Sequence, residues 1–303
     1  MTAPKTIVIT GASDGIGAAA AQILHAQGDK VVLVGRSPEK TEHVAKPLGA
    51  DWFTADFQDL HQVRTLAKTL KASYPRIDVL ANNAGGLFAG PERTGDGFEK
   101  TFQVNHLAPF LLTHELLDVL LDSRASIVNT SSIAAKLFGR INIDDLNTWN
   151  GFTPNKAYGN SKLANILFTR GLHQRYSAQG LSTVAFHPGN VATNFAAETT
   201  SYLRHVYRTA LSRFLITPER GGANLAYFCT GMPGTDWESG RYYSDRRRIS
   251  RTNPQAADNN LVRRHWEASA HMLGLPRLIY GDGGRPPCVD GRRFRRGKVR
   301  RSA

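Results

Sequence analysis

The fold is decided by the stretch Lys5–Gly17, which reads KTIVITGASDGIG. Residues Thr6–Thr10 have the β-branched, apolar character of a buried strand, and the alanine-rich segment Ala18–Gln27 follows as a helix would. Three glycines stand between the two, within residues 11–17. A strand that turns through glycine into a helix aims backbone N–H groups and the positive end of the helix at one point. That point suits a pyrophosphate, although a glycine turn alone is weak evidence for one.

Strand and helix patterns alternate along the rest of the chain. Strands are predicted at Thr6–Thr10, Lys30–Val34, Asp51–Thr54, Ile77–Ala81, Ser126–Thr130, Thr183–His187 and Arg241–Tyr243. Helices are predicted at Ile16–Gln27, Pro38–Leu48, Leu60–Ser73, Phe98–Leu121 and Asn155–Gln179. This alternation predicts an α/β fold with a single doubly wound parallel sheet of the Rossmann type and helices on both faces. Ligands of such sheets bind past the carboxyl ends of the strands.

Composition predicts one large domain and a reducing compartment. The chain has 303 residues, of which 41% are hydrophobic, enough for the core of one domain, which we place at residues 1–275. Its two cysteines, Cys229 and Cys288, form no disulfide framework. The sequence starts without a charged-then-apolar leader, and no run reaches the ~18 apolar residues of a membrane span. We therefore expect a cytoplasmic protein.

The last residues carry much of the positive charge. The formal net charge is +13, and residues 276–303 hold nine Lys or Arg against two Asp. This tail is rich in Gly, Pro and Arg, which predicts disorder. A solvated appendage is one interpretation, and binding to nucleic acid or an anionic surface is another. The first is favoured, and a nucleic-acid partner is not expected, because no aromatic platform accompanies the charges.

A tyrosine and a lysine four residues apart predict acid–base chemistry. Tyr158 and Lys162 would share one face of the predicted helix Asn155–Gln179. A free phenol titrates near pH ~10, and a close cation lowers that by roughly 1–3 units, toward the range of a general acid at neutral pH. The same spacing also occurs in helices by chance.

The motifs together resemble the short-chain dehydrogenase/reductase family over residues 5 to 275. The glycine turn, Asn82-Asn83-Ala84-Gly85, Asn105, Ser131-Ser132 and the Tyr158/Lys162 pair occur in the order that this family has. The resemblance implies an NAD(P)-dependent oxidoreductase in which Tyr158 donates a proton to a carbonyl oxygen and Lys162 tunes it. It implies that Ser132, rather than Ser131, polarises the substrate oxygen. Asn105 matches the residue that holds a water in the family's proton relay.

The resemblance also gives the cofactor site. The residues implied are Gly11, Ser13, Gly15, Ile16, Gly17, Arg36, Ser37, Asp56, Asn83, Ala84, Gly85, Pro188, Gly189, Val191 and Thr193. NADP(H) is favoured over NAD(H), because Gly35 stands where related NAD enzymes carry an aspartate and Arg36 can fork a 2′-phosphate. Against this, Asp14 occupies a position where some NADP-dependent relatives have a basic residue. Arg36 as an ordinary surface arginine is the alternative.

One insertion points to a branch of the family. Ser132 and Tyr158 are 26 residues apart, about twice the usual separation, and the extra segment is Phe138–Trp149. With the SKLAN motif at residues 161–165, it resembles the retinol-dehydrogenase and WW-domain-oxidoreductase branch. That branch implies NADP(H) and a small lipophilic alcohol, aldehyde or ketone as substrate.

The remaining features leave alternatives open. Ser201–Leu215 is amphipathic as a helix and could close over an apolar substrate or lie on an anionic membrane surface. His106 and His187 are predicted to be structural, with no metal site. The rival function is a catalytically idle nucleotide-sensing or interaction protein, against which the intact Ser132, Tyr158 and Lys162 argue. An oligomer stays open.

Overall fold

The parallel sheet has seven strands. The computed structural model describes residues 3–189 and 217–276. The strands are β1 (Thr6–Thr10), β2 (Lys30–Gly35), β3 (Asp51–Thr54), β4 (Val79–Asn82), β5 (Ser126–Thr130), β6 (Ser182–Phe186) and β7 (Arg241–Tyr243). Their order in the sheet is β3-β2-β1-β4-β5-β6-β7, and every pairing between them is parallel. The predicted strands are confirmed, with ends shifted by one or two residues at β2, β4 and β6.

Helices connect these strands. They are α1 (Gly15–Ala26), α2 (Pro38–Ala45), α3 (Leu60–Ser73), α4 (Lys100–Phe102), α5 (Ala108–Glu115), α6 (Leu117–Asp122), α7 (Ala134–Leu137), α8 (Pro154–Tyr176), α9 (Pro218–Thr230) and α10 (Asn259–Met272). Short 3₁₀ turns lie at Lys46–Leu48, Ile143–Asp145, Ser177–Gln179 and Pro254–Ala257, and a π-helical turn lies at Gln103–Leu107. Within the described residues, no helix has both the length and the apolar character needed to cross a membrane.

Helices cover both faces of the sheet. Because neighbouring residues of each strand point to opposite sides, they belong to two different cores. On β1, Val8 belongs to a core with helices α3, α5, α8 and α10. Ile7 and Ile9 belong to a second core with α1 and α9, in which Cys229 is fully buried. Burial raises the pKa of the Cys229 thiol to about 12. The predicted doubly wound α/β fold is confirmed.

The predicted helix Phe98–Leu121 is present, with its ends shifted by one or two residues, but it is not regular along its length. The helix begins only at Lys100, where the Glu99 side chain accepts from the Phe102 N–H at 2.8 Å. The helix continues through the π-helical turn to Glu115, and a separate short helix, α6, begins at Leu117. Pro109 is one physical reason, because it has no N–H to offer the Asn105 carbonyl four residues earlier. Such turns in α-helices are frequent at functional sites.

Candidate active site

The glycine turn after β1 brings the backbone of the loop against the first turn of α1. Gly11 and Gly15 have positive φ angles of 66° and 55°. A Cβ on Gly17 would lie 2.2 Å from the Gly11 carbonyl oxygen, so no side chain fits there. Asp14 caps the helix and accepts from the Gly15 N–H at 2.7 Å. The helix N-terminus therefore opens directly at the carboxyl edge of the sheet, as an anion site requires.

A buried hydroxyl joins the ends of β1 and β4. The Thr10 hydroxyl donates to the Ala81 carbonyl at 3.2 Å and accepts from the N–H groups of Asn83 and Ala84 at 3.0 and 3.1 Å. The Asn83 amide donates to the carbonyl oxygens of Thr10 and Gly11 at 3.0 and 3.3 Å. The Asn83–Gly85 segment is thus fixed beside the glycine turn.

Gly85 lets this segment lie close to Asn105 and to helix α8. A Cβ there would lie 2.8 Å from Asn105 Oδ1 and 3.1 Å from Lys162 Nζ. Asn105 and Lys162 therefore both pack against the backbone at residue 85. A side chain at this position would push the Asn83–Gly85 segment away from them.

The loop after β2 lies next to the glycine turn. A Cβ on Gly35 would lie 2.1 Å from Thr41 Oγ1 and 2.9 Å from Ser13 Cβ. Ser37 caps α2 and accepts from the Lys40 N–H at 3.3 Å, and Arg36 is exposed at the end of β2. Arg36, Ser13, Ser37 and the N-terminus of α2 therefore surround the end of β2. A cation, hydroxyl groups and a helix N-terminus together suit a phosphate.

Lys162 is a buried ammonium beside the Tyr158 ring. Its side chain is 2% exposed, its Nζ lies 5.6 Å from the centre of that ring, and it donates to the Thr130 carbonyl at 3.2 Å. Burial lowers the pKa of Lys162 from 10.5 to about 8. Tyr158 itself is half-buried. The two groups are close enough for the cation to stabilise a phenolate.

The two serines after β5 differ in what they do. The Ser131 hydroxyl is buried and donates to the Lys162 carbonyl at 2.8 Å, so it fastens the strand to α8. Ser132 is half-buried, and its hydroxyl accepts from the Ala134 N–H at 3.2 Å. Because that bond leaves the Ser132 proton available, Ser132 can donate to a substrate oxygen and Ser131 is occupied with the backbone.

Asn105 lies in the π-helical turn with its side chain fully used. Its Oδ1 accepts from the Gly86 N–H at 2.8 Å, and its amide donates to the Gly86 carbonyl at 2.9 Å and to Ser161 Oγ at 3.0 Å. Its backbone carbonyl accepts from the Asn165 amide at 3.0 Å, and the residue four positions on, Pro109, has no N–H to offer it. Because a carbonyl oxygen has two lone pairs, this one could accept from a water as well.

Comparison with known proteins decides the family. The sequence model of the short chain dehydrogenases matches residues 5–203. The chain belongs to the short chain dehydrogenase family. It is therefore an NAD(P)-dependent dehydrogenase or reductase, and its relatives place it in the retinol dehydrogenase-like branch, as the sequence predicted.

Two relatives support the assignment of this dehydrogenase to the retinol dehydrogenase-like branch. A Streptomyces sp. (strain C5) protein named as a candidate daunorubicin C-13 ketoreductase is 42% identical over 279 residues, covering 89% of this chain and 93% of the relative. Human retinol dehydrogenase 11 is 38% identical over 280 residues, covering 90% of this chain and 86% of the relative.

Solved structures of short chain dehydrogenases share the fold. An uncharacterised protein from Mycobacterium paratuberculosis has a TM-score of 0.72 at 30% identity, covering 89% of this chain and 94% of its own. A candidate short chain dehydrogenase from Shigella flexneri, complexed with NADP, has a TM-score of 0.62 at 26% identity and covers 80% of this chain and 97% of its own.

Most residues that the sequence analysis assigned to the dehydrogenase site lie at the carboxyl edge of the sheet. Asp56 follows β3, and its side chain accepts from the Gln58 N–H two residues later at 2.9 Å. Pro188 follows β6, where its carbonyl accepts from the Asn224 amide at 3.2 Å, and Gly189 has a φ of 106°. Val191, Thr193 and the segment Ser201–Leu215 lie outside the described residues, so their roles stay predictions.

The insertion Phe138–Trp149 is fastened to helix α8 by Asn160, a contact that the sequence did not predict. Asn160 Oδ1 accepts from the Arg140 N–H at 2.7 Å, and its amide donates to the Thr148 hydroxyl at 2.8 Å. Asn165 was missed as well. A signal was available, because Tyr158, Lys162 and Asn165 repeat at helical spacing on a helix whose other inward positions are largely apolar.

The two histidines that could suggest a metal are buried and neutral. Burial lowers the pKa of His106 to about 4 and that of His187 to about 4. The His106 ring lies 4.7 Å, centre to centre, from His265, which is far from it in sequence. Across residues 3–189 and 217–276, no group of three or more His, Cys, Asp or Glu side chains could hold a metal ion.

Proposed function

We propose that this dehydrogenase transfers a hydride between NADP(H) and a lipophilic alcohol/carbonyl pair, with Tyr158 as the general acid/base. The observation that carries the proposal is the buried Lys162 ammonium 5.6 Å from the Tyr158 ring centre, at the edge of the sheet where the glycine turn opens. Keeping an ammonium buried is costly for the fold, and its use in holding a phenolate explains the cost.

Each catalytic side chain then has one task. In reduction, Tyr158 donates its proton to the substrate carbonyl oxygen, and in alcohol oxidation it accepts one. Ser132 donates a hydrogen bond to the same oxygen and orients it. Lys162 stabilises the phenolate, and the second lone pair of the Asn105 carbonyl holds a water through which the proton is replaced. The nicotinamide, when bound, supplies or accepts the hydride.

NADP(H) is the proposed cofactor because of the loop after β2. Gly35 leaves no room for an acidic side chain beside Ser13 and Thr41, whereas Arg36 next to it is an exposed cation whose guanidinium matches the geometry of a 2′-phosphate. Gly17 and Gly85 both stand at close approaches of backbone and side chains that a Cβ would obstruct. These residues fit a dinucleotide lying from α1 to Lys162.

A lipophilic substrate is supported by the residues next to Tyr158. Leu137 and Phe138 are 62% and 46% exposed, and a Cβ on Gly159 would lie 2.8 Å from Phe138 Cβ. Phe138 therefore packs against the residue that follows Tyr158, and the exposed Leu137 is its neighbour in the chain. Relatives named for a ketone and for retinol agree with this chemistry. A lid or membrane contact at Ser201–Leu215, a cytoplasmic location, and a separate tail from residue 276 are proposed alongside it.

The test is a screen of aldehydes and ketones, small and polar against large and apolar, followed by NADPH absorbance. We expect turnover of apolar ketones or aldehydes by the wild-type protein and loss of at least about a hundredfold in kcat for Tyr158→Phe, since an acid/base catalyst contributes roughly 10²–10⁴-fold. NADPH affinity should stay within a few-fold. An active Tyr158→Phe would remove the acid/base assignment, and nucleotide binding without any turnover would favour the idle, nucleotide-sensing protein.

A further inference from the structure

A buried asparagine holds two backbone carbonyls behind the catalytic pair. Asn165 is 4% exposed, and its amide donates to the Asn105 carbonyl at 3.0 Å and to the Thr130 carbonyl at 3.2 Å. The Asn105 carbonyl has lost its regular helical donor because residue 109 is Pro. The Thr130 carbonyl lies at the last residue of β5. Asn165 thus fixes the ends of two different elements through one amide group.

The same carbonyl also fixes the lysine. Lys162 Nζ donates to the Thr130 carbonyl at 3.2 Å, so both lone pairs of that oxygen are used, one by Asn165 and one by Lys162. Asn165 is therefore coupled to the ammonium through the Thr130 carbonyl. It is coupled to the water-holding carbonyl of Asn105 directly.

The hydrogen-bond inventory then determines the proton position on His106. Both N–H groups of the Asn165 amide are given to carbonyls, which only accept, so Asn165 Oδ1 faces His106 Nδ1 at 3.2 Å as an acceptor. The ring must carry its proton on Nδ1. Its Nε2, 3.1 Å from Ser269 Oγ, is then an acceptor, and the Ser269 hydroxyl donates to it.

We propose that Asn165 is a positioning residue for Lys162 and Asn105, and that His106 and Ser269 hold its amide in the one orientation that serves both carbonyls. Helix α10, which carries Ser269, therefore supports the site from behind. None of its side chains is proposed to contact substrate or cofactor. This inference rests on the proposed roles of Lys162 and Asn105.

The first test needs no substrate. Nitrogen NMR of the full chain, labelled at histidine, should show His106 at neutral pH with a protonated Nδ1 and an unprotonated Nε2. The opposite tautomer, or a ring that exchanges between the two, would overturn the proposal, because the Asn165 amide would then have to face the other way.

The second test separates positioning from stability. Asn165→Leu removes both donors at similar volume and should lower kcat by roughly tenfold to a hundredfold, the scale of a small misplacement of catalytic groups. The substrate KM at saturating NADP(H) should stay within about twofold. His106→Asn, which keeps a donor near Nδ1, should retain most of kcat, whereas His106→Gln, which offers a group only near Nε2, should lose as much as Asn165→Leu.

Ser269→Ala is the mild variant in case the others fold poorly, and Thr183→Val is its control. Thr183 is fully buried, and its hydroxyl donates to the Thr169 carbonyl at 2.9 Å, so both changes remove one buried hydroxyl. Ser269→Ala should lower kcat at least threefold relative to Thr183→Val. Equal kcat in the two, with Tyr158→Phe inactive, would leave Asn165 and its partners a purely structural role. An active Tyr158→Phe would instead defeat the proposed function.

Discussion

Replacing Lys162 with Met should stabilise the protein in the absence of cofactor. Burial lowers the pKa of this lysine from 10.5 to about 8, so at neutral pH the folded state keeps a charge that it solvates poorly. At ~1.4 kcal/mol for each factor of ten in the proton equilibrium, the cost is roughly 3 kcal/mol. Loss of the hydrogen bond to the Thr130 carbonyl destabilises the variant by about 1 kcal/mol. A net gain of roughly 2 kcal/mol remains, or about 4–8 °C in Tm for a domain of this size.

The gain should depend on pH in a defined direction. Below pH 8 the ammonium is charged in both the folded and the unfolded chain, and the wild-type protein bears the full cost. As the pH rises from about 8 to 10.5, the folded chain gives up the proton before the unfolded chain does, which relieves the cost. The difference between variant and wild type should therefore shrink over this range. Thermal unfolding followed by circular dichroism at pH 7 and at pH 10 measures it.

Lys100→Met is the matched control for this comparison. Lys100 is also buried, at 8% exposure, but its Nζ pairs with Glu92 at 3.0 Å. Removing a paired lysine should bring no gain in Tm, because the partner carboxylate loses its cation. A Lys162→Met variant that is less stable than wild type at pH 7, or as unstable as Lys100→Met, would show that the buried ammonium is not a burden on the fold.

Three further predictions concern the cofactor and the acid. Arg36→Leu should weaken NADPH binding by roughly 10–150-fold and leave NADH binding unchanged, as measured by calorimetry, because one charge-assisted bond to phosphate is lost; Arg263→Leu, exposed on α10, is the control. Gly85→Ala should lower kcat and NADPH affinity by on the order of tenfold or more, since its methyl group would lie 2.8 Å from Asn105 Oδ1, whereas Gly90→Ala, which meets nothing within 4 Å, should do neither. For alcohol oxidation at saturating cofactor, the pH profile of kcat should show a limb well below pH ~10, and Lys162→Met should move it upward; a limb that stays in place would make Lys162 a cofactor anchor only.

The sequence was sufficient for the sheet because its strands are short apolar runs that end at motif residues. β1, β3, β5 and β7 begin and end where the pattern placed them. The interruption of the helix at Asn105 was not predicted, because it depends on a tertiary partner. The Asn105 carbonyl leaves the helical pattern at Pro109 and finds its donor at residue 165, on another helix.

The support of the site escaped prediction for a related reason. His106 and Ser269 meet across 163 residues of sequence, and no periodicity records such a contact. The location of most proposed site residues was predictable, because they follow a strand end or, like Tyr158 and Lys162, repeat at helical spacing. The hydroxyl of Ser131 shows what sequence could not decide, since only the contact with the Lys162 carbonyl separates its role from that of Ser132.

Because Cys229 is buried, the rate at which its thiol is modified measures how often the protein opens. A thiolate is the form that reacts with alkylating reagents, and here the thiol is both shielded by the second core and held protonated, with a pKa of about 12. Modification at neutral pH therefore has to wait until α9 separates from the sheet, so its rate reports the population of opened molecules. With Cys288 changed to Ser, mass spectrometry would follow that single reaction. A nucleotide that binds only the closed protein would slow it in proportion to occupancy, which would allow NADPH and NADH to be ranked before any substrate has been found.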